Sequence, residues 1–280
     1  MIKKISFAAI ALCTAFSFAQ QKEEENGWKK NGVFTLLFNQ SAFNNNWQGG
    51  GVSNIATNAS INYDANYKKD DVVWDNKFIF AYGLTKIDGT EDIQKTDDRL
   101  EISSLYGKKT GKYWYFSAYA NLKTQFAEGL NKDKERISDF FSPAYLQAGP
   151  GMLWKKSNNF KVNITPASAR AIFVSDEFTE DGSAFGVKQG ETSRFELGAN
   201  ISAYYKTDVV TNVSIENILN LYANYLENPG NIDIDYTLNV AMKINKFLSA
   251  NITAQAIYDD NAIAEIQIRE VFGLGFNYKF

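Results

Sequence analysis

Ile55-Ala-Thr-Asn-Ala-Ser-Ile-Asn-Tyr-Asp-Ala-Asn-Tyr67 alternates without a break. Ile55, Thr57, Ala59, Ile61, Tyr63, Ala65 and Tyr67 fall on one face; Ala56, Asn58, Ser60, Asn62, Asp64 and Asn66 fall on the other. Successive side chains of a β-strand point to opposite sides, whereas a helix of 3.6 residues per turn would mix the two sets. This stretch is therefore a strand with one greasy and one wet face.

Working outward, the same period of two recurs at Phe34, Leu36 and Phe38, at Trp74 to Leu84, at Leu100 to Tyr106, at Trp114 to Phe126, at Leu146 to Trp154 and at Phe160 to Ile164. It continues at Phe195 to Tyr205, Val213 to Tyr225, Ile234 to Met242, Leu248 to Tyr258 and Ile266 to Phe280. The count is twelve strands, an even number of the kind bacterial single-chain barrels use. Polar connections alternate in length. Short turns are read at 68–71, 109–112, 155–159, 207–212 and 245–246, and longer loops at 39–51, 85–97, 127–142, 175–192, 227–231 and 259–265. Outer-membrane barrels carry short turns on the periplasmic side and longer loops outside, so both chain ends are assigned to the periplasm. Aromatic residues stand beside both sets of connections, as girdles at two membrane interfaces require. A β-sandwich would alternate too, but it needs no second aromatic belt. The fold class read here is all-β, a transmembrane antiparallel up-and-down β-barrel of about twelve strands.

Residues 1–19 have the build of a secretory signal. Lys3 and Lys4 precede an apolar stretch from Ile5 to Phe16, and Ser17-Phe18-Ala19 offers a small-residue cleavage site. Cleavage is expected after Ala19, leaving a short periplasmic segment at 20–32 and a barrel at 33–280. The expected location is the bacterial outer membrane, reached by signal-directed export. Loss of Lys3 and Lys4 turns 29 basic and 32 acidic residues into 27 and 32, a formal charge of −5. So mild an acidity gives no reason to expect nucleic acid as a partner. The single cysteine, Cys13, lies in the signal, so disulfides and thiol chemistry play no part in the mature chain.

The sequence contains no histidine. Proton transfer at neutral pH and most catalytic zinc sites lean on imidazole, so neither an enzyme nor a metal or other cofactor is expected. Inward Glu101 or Glu196 facing Asp233 or Asp235 would be the paired carboxylates of a glycosidase, but structural ion pairs explain them without chemistry. The acidic segments 88–92 and 176–181 lack the spacing of a calcium loop and read as solvated charge.

Charged residues within the strands share the phase opposite the apolar one. On the lipid side each would cost about 2–4 kcal/mol near the midplane, so they are assigned to the lumen. These candidates for a constriction or a plug are Asp75, Lys77, Arg99, Glu101, Lys123, Arg194, Glu196, Glu216, Asp235 and Arg269, with Asp64, Lys161, Asp233, Lys243 and Lys279 in the same phase. Paired charges of both signs suit a salt-bridged plug; unpaired ones would suit a selective constriction. The loop 39–51 carries Phe43, Trp47, Gly49 and Gly50, aromatic surface on a mobile backbone, and is the candidate gate.

The chain closes on Phe272-Gly-Leu-Gly-Phe-Asn-Tyr-Lys-Phe280. With Gly275, Tyr278 and Phe280 in the matching places, this resembles the carboxy-terminal signal read by the barrel assembly machinery. Partners implied are that machinery, outer-membrane lipid and a small polar solute. Function is read as a channel or permeability pathway for such solutes, or alternatively as a non-conducting structural barrel whose outer loops bind a partner.

Five stretches carry a family resemblance: Ser41-Ala-Phe-Asn-Asn-Asn-Trp47-Gln-Gly-Gly, Lys95-Thr-Asp-Asp98, Ile137-Ser-Asp-Phe-Phe-Ser-Pro-Ala-Tyr145, Asn224-Tyr-Leu-Glu-Asn-Pro-Gly-Asn-Ile-Asp233 and Met242-Lys-Ile-Asn-Lys-Phe-Leu-Ser-Ala-Asn251. They resemble a Bacteroidota outer-membrane barrel family designated domain of unknown function 3078. The resemblance implies a location and a fold, and brings no functional residues with it.

Overall fold

The computed structural model describes residues 26–44, 46, 48, 51–90, 92–131 and 133–280. The signal at 1–19 and the loop residues Trp47, Gly49 and Gly50 lie outside them.

Twelve strands close into one antiparallel barrel: β1 (Gly27–Ser41), β2 (Asn54–Lys69), β3 (Val72–Ile87), β4 (Ile93–Lys109), β5 (Trp114–Thr124), β8 (Ala144–Ser157), β9 (Phe160–Phe173), β10 (Ser193–Val210), β11 (Val213–Asn224), β12 (Asp233–Lys243), β13 (Leu248–Asp259) and β14 (Ile263–Lys279). Two further short strands, β6 (Gly129–Leu130) and β7 (Arg136–Ser138), pair with each other inside the β5–β8 connection. Each barrel strand pairs with its sequence neighbour in the barrel. The one exception is the closing seam, where β1 meets β14 from Val33↔Lys279 to Phe38↔Leu274. Beyond it, Gly32 and Phe280 exchange backbone hydrogen bonds of 2.8 and 2.9 Å. The ring of Phe280 occupies the space that a Cβ on residue 32 would need, so a larger residue there would have to displace that ring.

Period two decides what faces where. Leu36, Ile102, Phe116, Phe195, Ile268 and Phe272 project outward and are exposed. An apolar belt of this extent is hostile to water and suited to lipid. Aromatic rings mark its border beside the short turns, with Trp28 against Tyr67 and Trp74, Trp154 against Phe160, and Phe160 against Tyr205. The outer border runs through Phe80, Phe126, Phe140, Phe141 and Phe173. Phe140 and Phe141 belong to a connection rather than to a strand, and strand periodicity could not reveal them.

Two expectations need correction. β1 begins at Gly27, so residues 27–32, read as periplasmic segment, are paired with β2 from Gly27↔Lys68 to Gly32↔Tyr63. Trp28 supplies the apolar anchor that the barrel start at 33 overlooked. The connections at 85–97 and 259–265 are also far tighter than read, because β3–β4 and β13–β14 continue to Ile87, Ile93, Asp259 and Ile263. Their polar residues are paired as strand rather than left as loop. Strict alternation of long and short connections therefore fails at 260–262, while the alternation of sides holds.

Candidate functional site

The lumen has two unlike halves. At the end of the barrel that carries the short turns, inward Val73, Leu105 and Leu153 form a buried cluster with Tyr115 and Tyr119 packed against it. Beside it Asp75, 5 % exposed, receives Lys155 at 2.8 Å and Lys161 at 2.8 Å. One carboxylate from β3 thus ties β8 and β9 across the interior. Polar side chains bond to one another around the rest of the wall. Ser117 donates to Asn163 at 2.6 Å, Tyr204 to Glu216 at 2.7 Å, Asn239 to Glu216 at 2.9 Å and Thr253 to Asn239 at 2.8 Å. Lys77 meets Asp64 at 3.3 Å.

At the end that carries the longer connections a cavity of about 940 Å³ opens within the barrel. Tyr119 is the boundary, packing on the lower cluster and lining the cavity above. The Nζ of Lys123 on β5 reaches Asp235 on β12 at 2.9 Å. Four strands, β8 to β11, separate these two along the shorter arc of the wall, so the pair is a strut close to a diameter. Arg269 of β14 pairs with Asp97 of β4, and Arg99 with Glu101. Arg170 pairs with Asp233 at 2.7 Å and lies 3.6 Å from the ring centre of Tyr222. Arg194 contacts Glu196 at 3.0 Å.

Of the lumen candidates that the sequence singled out, Asp64, Asp75, Lys77, Arg99, Glu101, Lys123, Lys161, Arg194, Glu196, Asp233, Asp235 and Arg269 enter ion pairs and Glu216 accepts from Tyr204, whereas Lys243 and Lys279 are exposed at strand ends. Asp97, Lys155 and Arg170 were missed. The first two fell in stretches read as connections, 85–97 and 155–159. Arg170 lies beyond Pro166, where the β8–β9 and β9–β10 registers shift and the inward parity changes from Asn163 and Thr165 to Ser168, Arg170 and Ile172. The outward set Ala169, Ala171 and Phe173 was the available signal.

Among the described residues, the cover over the cavity comes from the β9–β10 connection; Trp47, Gly49 and Gly50 of the expected gate lie outside them. Among the described residues of 42–53 none lines the cavity; Phe43 is half exposed, with its N–H on Ser53 Oγ at 2.9 Å. Instead the β9–β10 connection, 174–192, folds inward on its own apolar nucleus of Val174 and Val187 with Ile172, joined by Phe178 and Phe185. Phe178, Asp181, Ala184 and Phe185 line the cavity. Arg136 of β7 clamps Glu177 and covers the Phe178 ring, linking this loop to the β5–β8 connection. Three carboxylates, Asp233, Asp259 and Asp260, converge within 4.8 Å at the rim. The C-terminal residues sit at the seam, with Gly275 against Asn251 and Leu37, and Phe280 stacked near Tyr63 and Tyr278.

Comparison with known proteins adds a family over part of the chain. Residues 38–130 match the family model described as protein of unknown function. The matched family is DUF3078. This bears out the resemblance at Ser41-Ala-Phe and Lys95-Thr-Asp-Asp98; the other three stretches lie beyond the DUF3078 match. No curated protein matches the sequence. Among solved structures, the COG4313 outer membrane channel from Pseudomonas putida F1 is 12 % identical, with a TM-score of 0.41 over 91 % of this chain and 96 % of that one. The translocator domain of the autotransporter NalP from Neisseria meningitidis is 9 % identical, with a TM-score of 0.38 over 92 % and 90 %. Salmonella typhi OmpF, solved in complex with daunomycin, is 8 % identical, with a TM-score of 0.31 over 91 % and 98 %. The strand register establishes the barrel independently of these likenesses.

Proposed function

We propose that this protein is an outer-membrane pathway for small polar solutes that is shut at rest. A solute enters the extracellular cavity and passes inward only when the periplasmic half of the lumen rearranges. The observation that supports this reading is the asymmetry of the lumen, an outward cavity of about 940 Å³ standing on a packed periplasmic half. On this reading the chain is exported by its signal, inserted by the assembly machinery through Gly275, Tyr278 and Phe280, and performs no catalysis.

Planar-bilayer conductance tests it. The wild type is expected to show small, rare openings, and a Val73→Ala/Leu153→Ala variant to show larger and more frequent ones, because trimming those side chains clears the lower half. A double variant that inserts correctly and stays silent would favour the second reading, a barrel that binds a partner and conducts nothing. What favours that alternative is Asp75, which ties three strands where a pore would run.

A further inference from the structure

We infer that the extracellular cavity binds a neutral, hydroxyl-rich solute of the saccharide class, an inference that rests on the solute-pathway reading and names its substrate. The argument begins with the charges. The cavity wall carries six basic side chains, and each is already paired: Lys95 with Asp98, Arg99 with Glu101, Lys123 with Asp235, Arg136 with Asp139 and Glu177, Arg170 with Glu196 and Asp233, and Arg269 with Asp97. An anionic solute would find no uncommitted cation and would have to break a pair. Asp181 and Asp259 are the acids left over, one in the covering loop and one at the outer end of β13, so charge is least committed at the mouth.

Primary amides are plentiful instead. Asn121, Gln147, Asn200, Asn220, Gln255 and Gln267 all line the cavity. Each amide both donates and accepts, which matches a hydroxyl, also a donor and an acceptor; a charged group offers only one of the two. Their donors are partly used, Asn121 on Glu101, Gln147 on Ser168 and Gln255 on Asp235. Every one of those bonds leaves the amide oxygen as an acceptor.

The decisive pair is Asn200 and Tyr222, directly opposed on β10 and β11. Both are 2 % exposed, and Asn200 Oδ1 and the Tyr222 hydroxyl are the two buried side-chain polar atoms without a partner among the described residues. Native structures rarely leave such groups unmet, and each calls for an explanation. The hydroxyl end of Tyr222 lies over Gly198, whose missing side chain makes the room for it. Both residues line the cavity, and a solute hydroxyl that reaches this buried pair by a small shift of the neighbouring side chains gives one hydrogen to Asn200 Oδ1 and takes or gives another at Tyr222. The volume, near the top of the roughly 300–1,000 Å³ typical of ligand pockets, accommodates a short oligosaccharide.

Isothermal titration of the intact protein in lauryldimethylamine oxide, a detergent without a sugar headgroup, tests this. The probes are maltotriose, cellobiose and raffinose, with trigalacturonate and chitotriose as charged counterparts. At least one neutral probe is expected to bind in the millimolar range and to lose about tenfold or more in Asn200→Leu, since the site is then deprived of an acceptor that a hydroxyl requires. Tyr222→Phe should weaken it less. Heat-modifiable gel migration certifies folding, and should Asn200→Leu fail that check, Asn220→Ala takes its place. Preference for a charged probe, no binding of any neutral one, or affinity unchanged by the folded variant overturns the inference. Binding is read without conduction, so a silent bilayer bears only on the pathway reading, and conductance without saccharide binding bears only on this one.

Discussion

Leu153 and Lys123 both point into the lumen, yet they live in different media. Leu153 is fully buried among Val73, Leu105 and Tyr115, while Lys123 bridges to Asp235 with about a third of its side chain still wet. The half beside the short turns holds a buried apolar cluster and a buried ion-pair triad, and the half beside the longer loops is braced like a frame around an open space. Stability should therefore reside below and ligand chemistry above.

Three substitutions sharpen or break that contrast. The largest effect is expected from Asp75→Ala, which leaves Lys155 and Lys161 facing each other in a buried site. Breaking a buried pair by removing one partner costs about 3–5 kcal/mol, and thermal unfolding followed by heat-modifiable gel migration should show it. Leu153→Ala should come next, at about 2–4 kcal/mol, from lost burial plus the cavity it leaves. Equal losses from Asp75→Ala and from a cavity substitution would erase the distinction. The smallest effect belongs to Asp235→Ala. Its pair with Lys123 is partly solvated, but the buried Gln255 amide loses its acceptor with it, so a loss of about 1–2 kcal/mol, below the other two, is expected in the melting transition. Released from the strut, Lys123 should also shift ion selectivity toward anions in reversal-potential measurements.

The fold was legible because lipid enforces a strict rule: in a wall one residue thick, a polar side chain on the wrong phase is costly, so Ile55 to Tyr67 advertises its pairing. Strand ends were less legible. Past the apolar belt nothing penalises polar residues on either face, and Lys86, Ile93 and Asp97 read as loop although the ladder continues through them. Inward orientation of Asp75, Arg99, Glu101 and Lys123 followed from phase alone. Which charge meets which did not. Lys123 and Asp235 are 112 positions apart and come together only through the curvature of the closed wall. Arg170 was hidden by the register shift after Pro166, where a single parity no longer runs the length of the strand. The covering loop was missed because Val174, Phe178, Phe185 and Val187 follow no period; their cohesion comes from folding back on Ile172.

The seam between β1 and β14 has a kinetic meaning. Every other junction in the wall joins segments that follow one another along the chain and can zip as soon as both exist, whereas Gly32 and Phe280 must find each other across almost the whole polypeptide. Distant pairings form late because the entropy of loop closure must be met first. The ribbon of hairpins should thus assemble before the cylinder does, and a force peeling the finished cylinder apart should start at this short fastening, while the long β2–β3 ladder would be among the last to yield.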